Sequence, residues 1–215
     1  MAKILTVDQM KAVERAADAS GLSYAQMMEN AGRAVAEAVI ESLGQVEGRR
    51  VAVLVGSGNN GGDGLVAGHH LVQAGAQVMA YLIGERAEED PNLARLRADG
   101  CAVARSEEDQ RNRVLRNLCA TAEVLIDALL GTGIQLPLRG SVKQVLGVVH
   151  KCLADRQDAP WIVAVDCPSG LDCDTGQIAD EALLADLTVT LAAAKPGLLQ
   201  FPGASRVGRL IVGDI

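Results

Sequence analysis

Several oxygen-bearing side chains in this 215-residue sequence follow apolar runs, at positions that suit a metal or acid–base site. Asp127 and Asp166 close two such runs, and Asn60 lies in a glycine-rich segment after a third. The carboxyl ends of parallel strands meet at one edge of a sheet, so we expect these groups to lie together. Asn60, Asp127 and Ser169 offer only oxygen ligands, which suits a hard cation, and a monovalent ion fits as well as magnesium.

The glycine-rich segment 56–64 is the strongest local motif. It follows the apolar run 51–55 and leads into a helical pattern, which places free N–H groups where an anion can bind. Residues 56–61 match the G-x-G-x-x-G dinucleotide pattern, but the ribose-binding acid expected about 20 residues later is missing. Gly62-Asp63 stands where a P-loop carries Lys-Ser/Thr. Hydride transfer and nucleotide hydrolysis are therefore both disfavoured.

For two charged residues in these loops, a purely structural role is an alternative to a functional one. Asp63 can be a first-turn acid that favours the helix dipole and has no other role. Lys195 precedes Pro-Gly at another strand end and can be an exposed turn lysine. A carboxylate directly after a buried strand, as at Asp166, is more often functional than structural.

Strands and helices alternate along the chain, as in a three-layer α/β fold. The apolar runs predict strands over 51–55, 77–83, 101–104, 124–128, 161–165, 187–191 and 209–212. Capping patterns predict helices over 7–19, 24–43, 91–99 and 142–153, and one that starts after the cap 106–109 and ends near 120. Residues 1–215 are therefore predicted to form one doubly wound, mainly parallel, Rossmann-like domain with two extra N-terminal helices.

The two N-terminal helices carry specific packing expectations. Met10, Val13 and Ala17 are predicted to form the buried stripe of the first. Small residues on the second allow close approach to a sheet or another subunit, which makes a homodimer an expectation. Glu29 and Asn30 are expected on a solvated face.

Composition narrows the function classes. The net charge of −7 and the lack of a basic cluster argue against a nucleic-acid partner. Five scattered cysteines form no C-x-x-C pair, which favours a reducing cytoplasm over a disulfide or zinc framework. No apolar run reaches 18 residues, so neither membrane insertion nor secretion is expected.

Five motifs in order resemble the NAD(P)H-hydrate epimerases, the YjeF N-terminal domain family. They are segments 56–64, 127–133 and 165–172, the MENAG sequence at 28–32 and the KPG sequence at 195–197. Cys167 and Leu130 depart mildly from the usual aliphatic residue and phenylalanine. Many relatives continue into an ATP- or ADP-dependent dehydratase domain, so a fused or separate dehydratase partner is also an expectation.

The resemblance implies an isomerase of metabolite repair that interconverts the S and R hydrates of NADH or NADPH at C6 of the nicotinamide ring. It implies a potassium ion bound by Asn60, Asp127 and Ser169. Asp166 is hypothesised to be the general acid/base, and Lys195 to hold a phosphate or tune that carboxylate. The implied substrate contacts are Asn59, Asn60, Gly61, Gly62, Asp63, Gly131, Thr132, Gly133, Ile134, Gln135, Leu136, Pro137 and Asp166.

Two alternatives compete with this hypothesis. One is a non-catalytic nucleotide-binding or scaffold domain of the same fold, which loss of the strand-end aspartates would favour. The other is an NAD(P)-dependent oxidoreductase, which the missing ribose-binding acid disfavours.

Overall fold

A seven-stranded parallel sheet forms the centre of the protein. The structure, a computed structural model, describes residues 3–154, 156 and 158–215. The sheet order is β3-β2-β1-β4-β5-β6-β7, and all six neighbouring pairs are parallel. The strands are β1 (Arg50–Val55), β2 (Gln77–Leu82), β3 (Ala102–Arg105), β4 (Val124–Ala128), β5 (Trp161–Val165), β6 (Leu187–Leu191) and β7 (Arg209–Gly213).

Helices cover both faces of this sheet. They are α1 (Val7–Ala19), α2 (Tyr24–Leu43), α3 (Asn59–Gln73), α4 (Pro91–Ala98), α5 (Arg113–Thr121), α6 (Gly140–Ala154) and the short α7 (Pro196–Leu199). Side chains of α2, α3 and α4 form the core on one face, and those of α5 and α6 form the core on the other. The predicted doubly wound α/β class is confirmed. Among the helices of the described chain, none is long and apolar enough to span a bilayer.

Local sequence signals explain most element boundaries. The Thr6 hydroxyl accepts from the Gln9 amide while the Gln9 side chain accepts from the Thr6 amide, a complete capping box. Asp90 caps α4, with Pro91 at the first helical position, as predicted. Within β1, Val53 faces one core and Leu54 the other, so the run is apolar throughout because both faces are buried.

The predicted start of α5 is wrong. Residues 106–109 do not begin a helix; a 3₁₀ turn at Gln110–Asn112 precedes α5, which begins at Arg113. The Asp109 carboxylate still acts as a cap, because it accepts from the amides of Val114 and Leu115 at 3.0 Å each. Its hydrogen bond from the Tyr81 hydroxyl ties this cap to the end of β2.

The predicted buried stripe of α1 is also wrong in part. Met10 is buried, but Val13 is 48% exposed, and Glu14 is turned towards the protein instead. Two backbone hydrogen bonds between the segment before α1 and Ala194 set this rotation (Leu5 N to Ala194 O, 2.9 Å; Ala194 N to Lys3 O, 3.0 Å). Because α1 docks beside the end of β6, its inward face includes a carboxylate.

The solvated face expected for α2 is wrong at Glu29. That carboxylate is partly buried and bonds His70 of α3 at 2.8 Å and Arg95 of α4 at 2.6 Å. The Asn30 side chain, by contrast, accepts from Arg33 of its own helix and from no other side chain among the described residues. The Glu29 contacts link three helices on one face of the sheet.

Helices α2 and α3 cross closely at Gly32, and this contact yields a stability prediction. A Cβ at Gly32 would lie 2.4 Å from Val66 Cβ, so Gly32→Ala is expected to destabilise the fold by about 1–3 kcal/mol through overpacking. Gly147→Ala in α6 is the control: its Cβ would meet nothing within 4 Å, and alanine should stabilise that helix by about 1 kcal/mol. Urea denaturation of both variants tests this, and equal effects would refute the packing argument.

Candidate functional site

The strand-end groups predicted from sequence do meet at the carboxyl edge of the sheet. Strands β1, β4, β5 and β6 are neighbours in that order. Segment 56–64 follows β1, Asp127 lies in β4, Asp166 follows β5 and Lys195 follows β6. The edge therefore carries two neighbouring clusters, one around Asp127 and one around the Asp166–Lys195 pair.

Asp166 and Lys195 form a buried ion pair. Lys195 Nζ lies 2.5 Å from Asp166 Oδ1, and the lysine is 1% exposed. The same Oδ1 accepts from the Leu191 amide at 3.2 Å and from the Thr190 hydroxyl at 3.3 Å. Every hydrogen bond of this carboxylate in the described chain is thus to Oδ1, so Oδ2 keeps its hydrogen-bonding capacity for a substrate.

The backbone at Asp166 has a conformation that few non-glycine residues adopt. Its φ is +64°, in the left-handed region, directly after the last residue of β5. Hydrogen bonds from the Asp166 amide to Val189 O and from the Cys167 amide to Val165 O, both 2.8 Å, hold the turn. Strained backbone of this kind persists where surrounding structure enforces it, and it is concentrated at functional sites.

Lys195 is buried, so the alternative that it is an exposed turn lysine is wrong. Its ammonium donates to Asp166 Oδ1, to Thr190 Oγ1 at 3.0 Å and to Leu191 O at 2.9 Å, which uses all three of its hydrogens. Holding a substrate phosphate would require breaking one of these bonds. Of the two roles hypothesised for Lys195, the geometry fits tuning of the Asp166 carboxylate and does not fit phosphate binding.

Asp127, Ser169 and Asn60 converge around the carbonyl of Leu130. Asp127 accepts from the Ser169 amide at 2.8 Å and from the Ser169 hydroxyl at 2.6 Å. The Asn60 amide nitrogen donates to Leu130 O at 3.0 Å. Burial raises the pKa of Asp127, although the hydrogen bonds from Ser169 oppose that shift.

One atom in this cluster lacks a partner in the described chain. Asn60 Oδ1 is fully buried and accepts no hydrogen bond, which is costly for a polar atom. Asp127 is 1% exposed, and its hydrogen-bond donors in the described chain are the uncharged amides of Leu129 and Ser169 and the Ser169 hydroxyl. A cation beside these oxygens would satisfy Asn60 Oδ1 and compensate the Asp127 charge. Oxygen ligands of this kind suit a hard cation.

The charges of Asp166 and Lys195 act on the pKa values of two further carboxyls. Asp63 on α3 is 7% exposed, and its pKa is well above the usual range because of burial and the nearby charges of Asp166 and Glu14. Glu14 on α1 is half-buried, and burial and the charge of Asp166 raise its pKa too. Sequence reasoning placed Asp63 at the site but missed Glu14, because the pattern of α1 favoured Val13 as the inward residue.

Arg86 is a second residue that the sequence did not indicate. Its guanidinium donates to Gly58 O at 2.7 Å and to Gly56 O at 3.4 Å, and it pairs with Asp90 at 2.6 Å. Within segment 56–64, Gly61 packs against Gly56, since a Cβ at Gly61 would lie 2.0 Å from Gly56 O. Arg86, in the loop after β2, thus stabilises the backbone conformation of segment 56–64.

The expected substrate contacts lie at the start of α3 and in the loop after β4, at the same edge of the sheet. A Cβ at Gly131 would lie 3.3 Å from the Asn60 side chain, so the loops after β1 and β4 touch. Asn60, Gly61, Gly62 and Asp63 are buried; Gly131, Thr132, Ile134 and Leu136 are partly buried; Asn59, Gly133, Gln135 and Pro137 are exposed. Their assignment as substrate contacts stays a prediction.

Comparison with known proteins agrees with this geometry. The family model described as "YjeF-related protein N-terminus" matches residues 24–197. The chain belongs to this family. A family relative from Nitrosopumilus maritimus, named NAD(P)H-hydrate epimerase, is 32% identical over 198 residues, covering 90% of this chain and 87% of the relative. The crystal structure of the yeast protein ynu0 superposes with a TM-score of 0.79 at 26% identity, covering 94% of this chain and 86% of the yeast chain.

Longer relatives in this family are named bifunctional enzymes. A bifunctional NAD(P)H-hydrate repair enzyme from Pyrobaculum aerophilum is 40% identical over 218 residues, covering 98% of this chain. This chain spans 41% of that relative's length, and 40% of another from Thermofilum pendens. Asp127, Asp166 and Lys195 all lie within the stretch matched by the family model, whereas Glu14 lies before it.

Proposed function

We propose that this chain epimerises the S and R hydrates of NADH and NADPH at C6 of the nicotinamide ring, as an isomerase of metabolite repair. The names of its relatives support the substrate. The observation that carries the chemistry is Asp166 at a sheet edge, with one oxygen bonded to Lys195 and the other available.

The chemistry follows from the substrate. C6 carries a hydroxyl next to the ring nitrogen, so protonation of that hydroxyl lets the nitrogen lone pair expel water and form a planar iminium. Water that returns to the other face inverts the centre. Asp166 is the proposed general acid/base, and Lys195 positions and tunes its carboxylate.

The nucleotide part of the substrate is proposed to bind along the loops after β1 and β4. Segment 59–63 presents the amino end of α3, where backbone N–H groups and the helix dipole favour an anionic phosphate. The loop 131–137 touches that segment through Gly131 and Asn60. A substrate that spans both loops would bring its ring towards Asp166.

The direct test uses purified S and R hydrates and proton NMR. Protein added to either hydrate should bring both to the same equilibrium mixture well before a protein-free control. Binding of the hydrates without epimerisation would favour the non-catalytic nucleotide-binding alternative. A change in absorbance from cofactor oxidation or reduction would favour the oxidoreductase.

A potassium ion is proposed beside Asn60, Asp127 and Ser169. No three His, Cys, Asp or Glu side chains gather as a metal cluster in the part of the chain described, so neutral oxygens would supply most ligands. When bound, the ion would supply a fixed positive charge that neutralises Asp127. The unsatisfied Asn60 Oδ1 is the observation that supports it.

Potassium is expected to stabilise the folded protein, because it binds only where these oxygens converge. At a concentration 100 times its dissociation constant the gain is about 2.7 kcal/mol. Thermal unfolding in KCl, NaCl and choline chloride at one ionic strength measures it. Asn60→Ala should abolish the potassium-specific gain, and Asn117→Ala on the exposed face of α5 should keep it. Equal stability of the wild type in all three salts would rule the site out.

Three further expectations concern partners and location. A dehydratase partner, fused or separate, is supported by the bifunctional relatives. A homodimer and a cytoplasmic location stay predictions; all five cysteines are free, which accords with a reducing compartment. Light scattering of the purified protein tests the homodimer.

A further inference from the structure

An open cavity of 580 Å³ lies outside both clusters of the candidate site, at the same edge of the sheet. Its lining consists of residues that follow β2, together with the last residue of β3. Those residues are Glu85, Arg86, Ala87, Glu88 and Arg105. Ligand cavities in proteins measure about 300–1,000 Å³, so this one is of the size that holds a small molecule.

Arg86 joins this cavity to segment 56–64. It lines the cavity, and its guanidinium donates to Gly58 O at 2.7 Å and to Gly56 O at 3.4 Å. The sheet order puts the cavity on one side of β1 and Asp166 on the other. Neighbouring strands are about 4.8 Å apart, so the ends of β3 and β1 are separated by about 10 Å. A dinucleotide with its phosphates at the start of α3 and its ring towards Asp166 therefore has its other nucleoside on the side of the cavity.

The side chain of Arg105 retains most of its hydrogen-bonding capacity. It is 18% exposed and donates one hydrogen bond within the described chain, from Nη2 to Glu88 Oε1. A guanidinium has five N–H groups, so the others on Arg105 have no protein acceptor among the described residues. Arg86, by contrast, is committed to Gly56, Gly58 and Asp90. Of the two guanidinium groups that line the cavity, that of Arg105 is therefore the one that can bind an anion.

Glu88, the counter-ion of Arg105, has a second partner. Its Oε2 accepts from Arg97 at 2.6 Å, while its Oε1 accepts from Arg105. One carboxylate thus lies between two guanidinium groups, which leaves one positive charge uncompensated among these three residues. The Glu88 side chain is 60% exposed, and ion pairs so open to water are weak. A ligand phosphate can replace Glu88 at Arg105 while Glu88 stays bonded to Arg97.

The end of β2 lacks the carboxylate that binds a ribose hydroxyl in dinucleotide folds. That acid binds the 2′-hydroxyl of NAD, whereas an arginine nearby accommodates the 2′-phosphate of NADP. Here β2 ends at Leu82, whose partner in the parallel register is Arg105, and the buried Ile83 follows. Glu85, the other carboxylate that lines the cavity, is exposed, so water and salt screen its repulsion of a phosphate. These residues suit a phosphate better than a hydroxyl.

We propose that the cavity binds the adenosine ribose of the substrate and that Arg105 binds the 2′-phosphate by which NADPH hydrate differs from NADH hydrate. This inference rests on the proposed function and names the hydrate that the site prefers. A guanidinium fork donates two parallel hydrogen bonds to a phosphate, which a hydroxyl cannot accept in the same way. Arg105 determines specificity and takes no part in the chemistry at C6, because Asp166 lies on the other side of β1.

The deciding experiment compares two probes that lack the nicotinamide half, adenosine 2′,5′-bisphosphate and adenosine 5′-phosphate. Isothermal titration calorimetry of the wild type should show at least about 10-fold tighter binding of the bisphosphate, the gain expected for hydrogen bonds between charged groups. Arg105→Gln should remove that preference and leave the affinity for adenosine 5′-phosphate unchanged. Arg105→Lys, which keeps the charge but not the fork, should give an intermediate preference.

Two further variants separate this role from a general effect of charge. Arg49→Gln is the matched control, because Arg49 also pairs with a glutamate but lies just before β1, at the opposite edge of the sheet. It should keep the wild-type preference for the bisphosphate. Glu88→Gln removes the anion that competes for Arg105, so it should bind the bisphosphate more tightly than the wild type does. Weaker binding in Glu88→Gln would overturn the displacement of Glu88 by the phosphate.

The binding readout does not depend on epimerisation. Equal binding of the two probes by the wild type, or binding of neither at millimolar concentration, would overturn the proposal, as would a preference that survives in Arg105→Gln. With the hydrates themselves, Arg105→Gln should raise KM for NADPH hydrate and leave kcat unchanged, because only binding is lost. A wild type that prefers the bisphosphate but leaves both hydrates unchanged would overturn the proposed function and not the assignment of the cavity.

Discussion

Asp166→Asn is expected to slow epimerisation of the NAD(P)H hydrates by at least about 100-fold without unfolding the protein. The amide keeps an oxygen that can accept from Lys195, Thr190 and the Leu191 amide, so the local structure should persist. It cannot carry the exchangeable proton that Oδ2 would pass to the substrate. Proton NMR of each hydrate gives the rate, and circular dichroism gives the fold.

Substrate binding must be measured separately to interpret this result. Titration of either hydrate into Asp166→Asn should give a dissociation constant within a few-fold of wild type. Asp180→Asn is the control, a carboxylate-to-amide change at a residue on an exposed turn. Undiminished epimerisation would exclude Asp166 as the acid/base, and loss of binding in proportion to rate would make it a binding residue only.

The sheet and its reactive edge could be predicted because the signals are local. The predicted strands over 124–128, 161–165 and 187–191 coincide with β4, β5 and β6. Each is an uninterrupted apolar run, as expected for strands with helices on both faces. Given parallel strands in a doubly wound sheet, the polar residues that end them must share one edge. The strand ends alone therefore predict that Asp127 and Asp166 lie at the site.

The burial of Lys195 could not be predicted, because its acceptors come together only in the folded chain. Two of them, Thr190 and Leu191, belong to β6, but the third is on Asp166, 29 residues earlier. The left-handed backbone that presents Asp166 has no sequence signal either, since the residue is an aspartate and not a glycine. Lysine before Pro-Gly at a strand end is equally compatible with an exposed turn.

The inward position of Glu14 depends on docking and not on helix propensity. Apolar periodicity alone favours a stripe through Val13, which the structure exposes. The rotation of α1 is set by main-chain pairing with Ala194 and by the Val7 amide, which donates to Asp174 at 2.9 Å. Contacts between residues so distant in sequence leave no trace in the pattern of one helix. The helix pattern therefore does not distinguish the half-buried Glu14 from a surface residue.

Lys195→Met is expected to have the largest effect on stability of any single change at the site. It leaves the Asp166 carboxylate buried without its counter-charge, which costs about 3–5 kcal/mol in the free energy of unfolding at pH 7. Methionine fills a similar volume, so lost packing adds little. Urea denaturation at constant pH measures the difference, and epimerisation should fall in the same variant because Asp166 loses its positioning partner.

A double-variant cycle separates the ion pair from its surroundings. Adding Asp166→Asn to Lys195→Met should restore part of the lost stability, because an amide needs no counter-charge; the coupling should be about 0.5–3 kcal/mol. Lys143→Met is the matched control: Lys143 pairs with Glu181 at 3.3 Å but is 52% exposed, so its loss should cost no more than about 1 kcal/mol. Additive effects in the cycle would mean that Lys195 stabilises the fold through Thr190 and Leu191, and not through the carboxylate of Asp166.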